Sequence, residues 1–159
     1  MNKPLVYLCG TITKEPRHLE WREDAEEYLA LHGIGVLSPV RNKDPEDWTE
    51  GGLDGRAGAV YAGGAFVERD ERDLRLCDAV LLYFPAHACP TRQSIGTWAE
   101  FGLAALAGGL GKPVVVVTDL PEVARHPFIY RRAAKITSSF DEALEYLVFL
   151  LGGRNSGRP

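Results

Sequence analysis

Glu100 is the carboxylate most out of keeping with its neighbours. It lies inside SIGTWAEFGLAALAGG, a stretch otherwise free of charge. A buried charge in such a segment is costly unless it is paired or hydrogen-bonded. Helical phasing sets Gly96 and Thr97 one turn ahead of it, close to a helix start. Two roles fit the carboxylate: a reacting group, or a first-turn acid favoured by the helix dipole. CGTIT is the second candidate. Gly10 permits close backbone approach, and Thr11 and Thr13 carry hydroxyls; an ordinary strand-to-helix turn would use the same residues. Asp78 reads as a turn or cap before a strand. Asp70, surrounded by Glu68, Glu71 and Asp73, reads by itself as part of a solvated helix face.

Other chemistries lack their residues. No GxxxxGK[ST] is present and no GxGxxG follows the first apolar run, so neither a P-loop nor a dinucleotide fingerprint is supported. His18, His32, His87 and His126 accompany no Ser or Cys nucleophile motif, which leaves a catalytic triad unsupported. Cys9, Cys77 and Cys89 are an odd count without CxxC spacing, against a disulfide framework or a zinc site.

These side chains need a scaffold, and the apolar pattern supplies one. Short apolar runs at Leu5–Leu8, Ile34–Leu37, Ala79–Phe84 and Val114–Val117 read as strands, with Lys135–Thr137 as a short fifth. Helical spacing fills 16–32 (closed by Gly33), 65–77, 95–107 and 140–151. Residues 39–64, with Pro39, Pro45 and six glycines between Gly51 and Gly64, read as a long loop holding at most a short helix, either functional or simply a surface loop. Strands alternating with helices predict an α/β fold: a single-domain, doubly wound parallel sheet of about five strands with helices on both faces. The domain is expected over 1–152, with a flexible tail at 153–159. In such sheets ligands bind beyond the carboxyl ends of the strands. The segments to watch are therefore 9–14, 38–64, 84–94 and 118–130.

Composition narrows the classes further. The chain has 159 residues, 45% hydrophobic and 25% charged, the size of one ordinary domain. Eighteen Lys and Arg against 22 Asp and Glu leave a net charge of −4 without a basic run, so no nucleic-acid polymer is expected as a partner. No apolar run approaches the ~20 residues that cross a bilayer, and MNKPLVYLCG lacks a signal-peptide core. Reduced thiols in a cytoplasm are the expectation.

Taken in order, VYLCGTIT, ERDLRLCDAVLLYF and SIGTWAEFGLAALAGGLGKPVVVV resemble the nucleoside 2-deoxyribosyltransferase family and the related 2′-deoxynucleoside 5′-phosphate N-hydrolases, over roughly residues 4–150. The resemblance implies a flavodoxin-like sheet and cleavage or exchange of a base on a nucleoside or nucleotide, with no cofactor and no metal. It implies that Glu100 attacks the anomeric carbon, that Tyr7 orients Glu100, and that Asp70 assists departure of the base, while Thr97 and the backbone N–H groups of the helix start around Gly96 could position the sugar or a phosphate. Ser94 falls where the transferases have a sugar-binding aspartate and the hydrolases a serine. Thr11-Ile12-Thr13 replaces the hydrolases' SIR, so their phosphate-binding arginine is missing at 13, although Lys14, Arg17 and Arg92 carry charge nearby. Position 94 points to one branch and position 13 to the other. Position 13 tilts the expectation toward a non-phosphorylated nucleoside.

The resemblance also implies a homo-oligomer whose pocket is completed by a neighbouring chain. RHPFIY, read as a loop, would expose Phe128, Ile129 and Tyr130 for that contact, unless they fold back on their own core. Three other readings compete. A phosphoribohydrolase of the cytokinin-activating type would carry PGGxGT where this chain has RQSIGT. A non-catalytic nucleotide-sensing domain would not need Glu100 and Tyr7 together. A flavin-binding domain would need a richer hydroxyl cradle than Thr11 and Thr13.

Overall fold

The computed structural model describes residues 3–12, 17–41, 48–49, 52–53, 65–89, 94–105 and 109–152. β1 (Leu5–Gly10) is an inner strand of a five-stranded sheet, second from one edge. On one side it pairs with β2 (Gly35–Leu37), on the other with β5 (Ala79–Tyr83); β6 (Val114–Val117) and β7 (Lys135–Thr137) follow outward. Every pairing in this sheet is parallel. The order β2-β1-β5-β6-β7 reverses direction between β1 and β5. Cys9 stands opposite Leu82 and Gly10 opposite Tyr83 at that point, where a crevice for a ligand opens in doubly wound sheets.

Alternation along each strand builds two cores. Val6, Leu8, Ala79, Leu81, Val115 and Val117 face α1 (Arg17–Leu31) and α6 (Phe140–Gly152). Trp21, Ala25 and Leu29, at helical spacing on α1, are all buried there. Tyr7, Cys9, Val80, Leu82, Val114 and Val116 face the other way, against Leu74 of α2 (Ala65–Leu76) and Phe101 and Ala104 of α3 (Ile95–Ala105). Burial on both faces is why these strands read as unbroken apolar runs. Gly33, at φ 74°, ends α1 in the left-handed conformation. The Ile34 N–H then reaches back to the Leu29 carbonyl at 3.0 Å, a helix stop that delivers the chain into β2. Asp78 Oδ2 accepts the Leu5 N–H at 2.9 Å and so ties the entry of β5 to the start of β1.

Two expectations are corrected. Segment 39–64 is not all loop: β3 (Trp48–Thr49) and β4 (Gly52–Leu53) form a small antiparallel pair. Two-residue strands are too short to show alternation. RHPFIY is not a loop: after α4 (Pro121–Ala124), α5 spans Pro127–Arg132. A proline at the first helical position starts each of these helices, because its fixed φ suits that site and its missing N–H is not needed there. Helices this short carry no readable period. On α5, Phe128 and Tyr130 are exposed while Ile129 turns inward, so only two of the three apolar residues face outward. The expected tail at 153–159 and the rest of the Gly-rich segment lie outside the described residues.

Candidate active site

β1 presents Tyr7 and Cys9 on the face that α3 covers, and α3 brings Glu100 down onto them. The Tyr7 hydroxyl donates to Glu100 Oε1 at 2.8 Å, across 93 residues of sequence. Tyr7 is fully buried, and burial, reinforced by the nearby Glu100 and Asp70 charges, pushes its phenol far above the ordinary range. The phenol therefore stays protonated and serves as a donor. Cys9 Sγ donates to the Thr97 carbonyl of α3 at 3.6 Å, and its thiol, raised mainly by burial, likewise keeps its proton. Burial is the largest influence on Glu100 and raises its carboxyl above the usual range. The neighbouring Cys9 thiol and the Tyr7 bond act against that rise, Asp70 adds to it, and Arg22 opposes it. The result is a largely enclosed carboxylate with a neutral donor aimed at it, able to attack an electrophilic carbon or to carry a proton.

Asp70 reaches this cluster from α2. Its charge is felt by both Tyr7 and Glu100, and its side chain is mostly buried rather than on a solvated face. Arg69 holds it at 2.9 Å and also donates to the Pro39 carbonyl at 2.6 Å, which ties α2 to the turn after β2. Beside them Arg41 pairs with the buried Asp73.

The family model for nucleoside 2-deoxyribosyltransferases matches residues 6–139. The chain belongs to that family. No curated protein matches the sequence. Among solved structures, the 2-deoxyribosyltransferase of Bacillus psychrosaccharolyticus is 20% identical, with a TM-score of 0.65 over 92% of this chain and 95% of that one. The 2-deoxyribosyltransferase of Leishmania mexicana is 19% identical, with a TM-score of 0.63 over 92% and 97%. The CMP N-glycosidase of Clostridium botulinum is 18% identical, with a TM-score of 0.56 over 92% and 99%. These structures share the fold of the nucleoside deoxyribosyltransferases with this chain. The family points to an enzyme of glycosyl transfer or N-glycosidic cleavage.

The other expected site residues of this deoxyribosyltransferase-family chain are placed as follows. Ser94 Oγ and Thr97 Oγ1 bond each other at 2.5 Å at the start of α3, and Thr97 is buried. Gly96 is open: a Cβ there would touch nothing within 4 Å. Gly10 is explained by packing, since a Cβ would lie 2.9 Å from both the Trp21 ring and the Tyr83 carbonyl oxygen. Thr11 Oγ1 meets Cys89 Sγ at 3.0 Å and so links the end of β1 to the segment after β5. Thr13, Lys14 and Arg92, and the Arg17 side chain, lie outside the described residues. Phe128 is not brought to Glu100 within this chain. It lines a groove of about 360 Å³, mostly apolar, with Trp98 and Phe101 on one wall and Val123 and Ile129 on the other. Glu100 is not among the residues that line that groove. Among the described residues no three His, Cys, Asp or Glu side chains come together as a metal site, and no helix is long and apolar enough to cross a membrane.

Sequence reasoning missed Cys9, Arg22 and Arg69. For Arg22 a signal existed: it sits on the Trp21–Ala25–Leu29 stripe, where an arginine has no solvated reason to be. Cys9 was visible as an alternate neighbour of Tyr7 on one strand face. Arg69 left no signal, because its partners come from the turn after β2.

Proposed function

We propose that the protein cleaves, or exchanges the base of, a 2′-deoxynucleoside through a covalent glycosyl–glutamate intermediate. The bond from the Tyr7 hydroxyl to Glu100 at the β1 edge carries this reading. It places an oriented, water-poor carboxylate at the switch point of the sheet. Glu100 attacks C1′ while the C1′–N bond breaks, and the bonding electrons leave with the base. Asp70 stands on the base side and assists that departure. A second base or water then attacks C1′, releases the carboxylate and restores the original configuration by a second inversion. Ser94 favours a second reading in which the substrate is the 5′-monophosphate and water the acceptor. A neutral hydroxyl tolerates a phosphate dianion that an aspartate would repel.

The same reading makes the enzyme a homo-oligomer. Phe128 and Tyr130 stand exposed on α5 beside an apolar groove, and exposed apolar patches of this kind mark partner surfaces. A second copy seated there would close the pocket from outside. Three buried free thiols, Cys9, Cys77 and Cys89, suit a reducing compartment such as the cytoplasm.

The test is incubation with deoxynucleosides, ribonucleosides and their monophosphates, each with and without an acceptor base. Chromatography separates free base, free sugar and new nucleoside. Peptide mass spectrometry of acid-quenched protein is expected to find one sugar on the peptide holding Glu100. Release of base by Glu100→Gln at the wild-type rate would overturn the mechanism. A tenfold or greater kcat/KM preference for the monophosphate, about 1.4 kcal/mol in transition-state binding, would replace the first reading by the second.

A further inference from the structure

α2 hands its chain to β5 at the amino edge of the sheet, where Asp78 accepts the Leu5 N–H. Its first turns therefore lie toward the carboxyl edge, the ligand side. Leu74 fixes which face of α2 meets the sheet, because it is buried in one core with Tyr7, Cys9 and Phe101. Asp70 lies one helical turn before Leu74 on the same stripe, and so nearer the carboxyl edge. Arg69 and Asp73 form the neighbouring stripe and meet residues 38–41, the turn after β2. There the contacts run both ways. Arg69 donates from Nη2 to the Pro39 carbonyl at 2.6 Å and from Nη1 to the Arg41 carbonyl at 3.4 Å. Arg41 pairs with the buried Asp73 and donates from Nη1 to the Ser38 carbonyl at 2.9 Å. The Arg69 guanidinium also takes Asp70 Oδ1 with two nitrogens, Nε at 3.2 Å and Nη2 at 2.9 Å.

We propose that Arg69 is a positioning residue for departure of the base: together with the Arg41–Asp73 pair it fixes the rotation of α2 against the turn after β2, and so the direction in which Asp70 presents its carboxylate. Successive residues of a helix differ by about 100° around its axis, so a modest roll of α2 would carry Asp70 off the site. Pins at 69 and 73, one turn apart on one stripe, resist that roll. A buried ion pair is weak evidence for stability, and its best-attested use is to fix register. The planar fork of arginine suits the task, since it meets a carboxylate and two carbonyls with directed donors; a lysine is a point charge on a flexible stem.

The inference rests on the departure role that the proposed function gives Asp70, so its test varies how much help the base needs. Methylation of 2′-deoxyguanosine at N7 makes the base a cation that leaves as a neutral molecule; a 5-nitro group on 2′-deoxyuridine spreads the departing charge. Base release is measured as kcat/KM on the plain and activated member of whichever pair the wild type cleaves, for wild type, Asp70→Asn, Arg69→Gln and Arg69→Lys. Asp70→Asn and Arg69→Gln are each expected to lose about tenfold or more on the plain nucleoside and about twofold or less on the activated one. Arg69→Lys is expected to show the same selectivity with a smaller loss. A purely structural role would lower both substrates alike. Equal losses, or no loss, in a folded Arg69→Gln while Asp70→Asn stays selective would overturn the proposal and leave Asp70 its role. An unselective Asp70→Asn would remove that role and the proposal with it, and no base release by the wild type would remove the proposed function itself. If Arg69→Gln does not fold, Arg69→Lys decides by the same comparison; failure of both to fold would assign Arg69 to the fold alone and overturn the proposal.

Discussion

Tyr7→Phe removes one oxygen from a fully buried ring and leaves the packing around it in place. What is lost is the 2.8 Å bond to Glu100. A hydrogen bond to a charged group contributes roughly 1.5–3 kcal/mol. Withdrawn from the ionised form of Glu100, that amount raises the pH at which the carboxyl loses its proton by about one to two pH units. The sign follows from the donor: a protonated phenol stabilises the carboxylate and not the carboxylic acid. Burial already holds the Glu100 carboxyl above its ordinary range, so the variant is expected to lose activity most steeply on the acid side. Below both titrations the loss in kcat/KM is roughly 10- to 150-fold. Above both, only misorientation of the carboxylate remains, and the loss is about tenfold or less. The assay is base release from the preferred deoxynucleoside or monophosphate across the pH range, with thermal melts showing that the fold persists. A loss that is the same at every pH would refute the electrostatic part of the reasoning. Wild-type kinetics throughout would refute the pairing itself.

Glu100→Gln is expected to lower turnover at least about a thousandfold and yet to melt higher than wild type at pH 8, by roughly 0.5–2 kcal/mol. Because the folded carboxyl titrates above its unfolded value, the native state binds the extra proton, stability falls as pH rises through that interval, and the variant's advantage vanishes in acid; an equal or lower stability at pH 8 would count against it. Gly10→Ala drives a Cβ to 2.9 Å from the Tyr83 carbonyl oxygen, a backbone atom held in the ladder. Denaturant melts should show a loss of about 1–3 kcal/mol, and an unchanged midpoint would refute the packing account. Phe128→Asp, at a side chain 62% exposed, is expected to reduce the mass seen by light scattering and to lower activity together; full activity at monomer mass would end the shared-pocket reading.

Much of this was legible because β1, β5 and β6 are buried on both faces, which writes them as continuous apolar runs. The lone charge in the α3 segment was legible for the same reason: an acid among Trp98, Phe101 and Leu103 is conspicuous. Asp70 was not, since its neighbours Glu68 and Glu71 disguise a mostly buried side chain as one of a charged row. Only the turn after β2, which supplies carbonyls to Arg69, distinguishes it. Arg22 lies on the buried stripe of α1, a signal that the many charges of that helix made easy to overlook. The short helices α4 and α5 carry fewer than two turns each, so no period could announce them, and RHPFIY read as a loop.

The separation of 93 residues between Tyr7 and Glu100 bears on how the molecule comes into being. β1 finds β2 within its own neighbourhood, but its other partner, β5, arrives only some seventy residues later. Contacts of such long range form late and slowly. Until β5 docks, β1 keeps an open edge of the kind that invites mispairing with other chains. Until α3 docks, Glu100 is an ordinary solvated glutamate without the phenol upon it. On the proposed mechanism, the reacting carboxylate is thus assembled only when these long-range contacts close, and a half-assembled chain carries the same residue without the surroundings that prepare it to react.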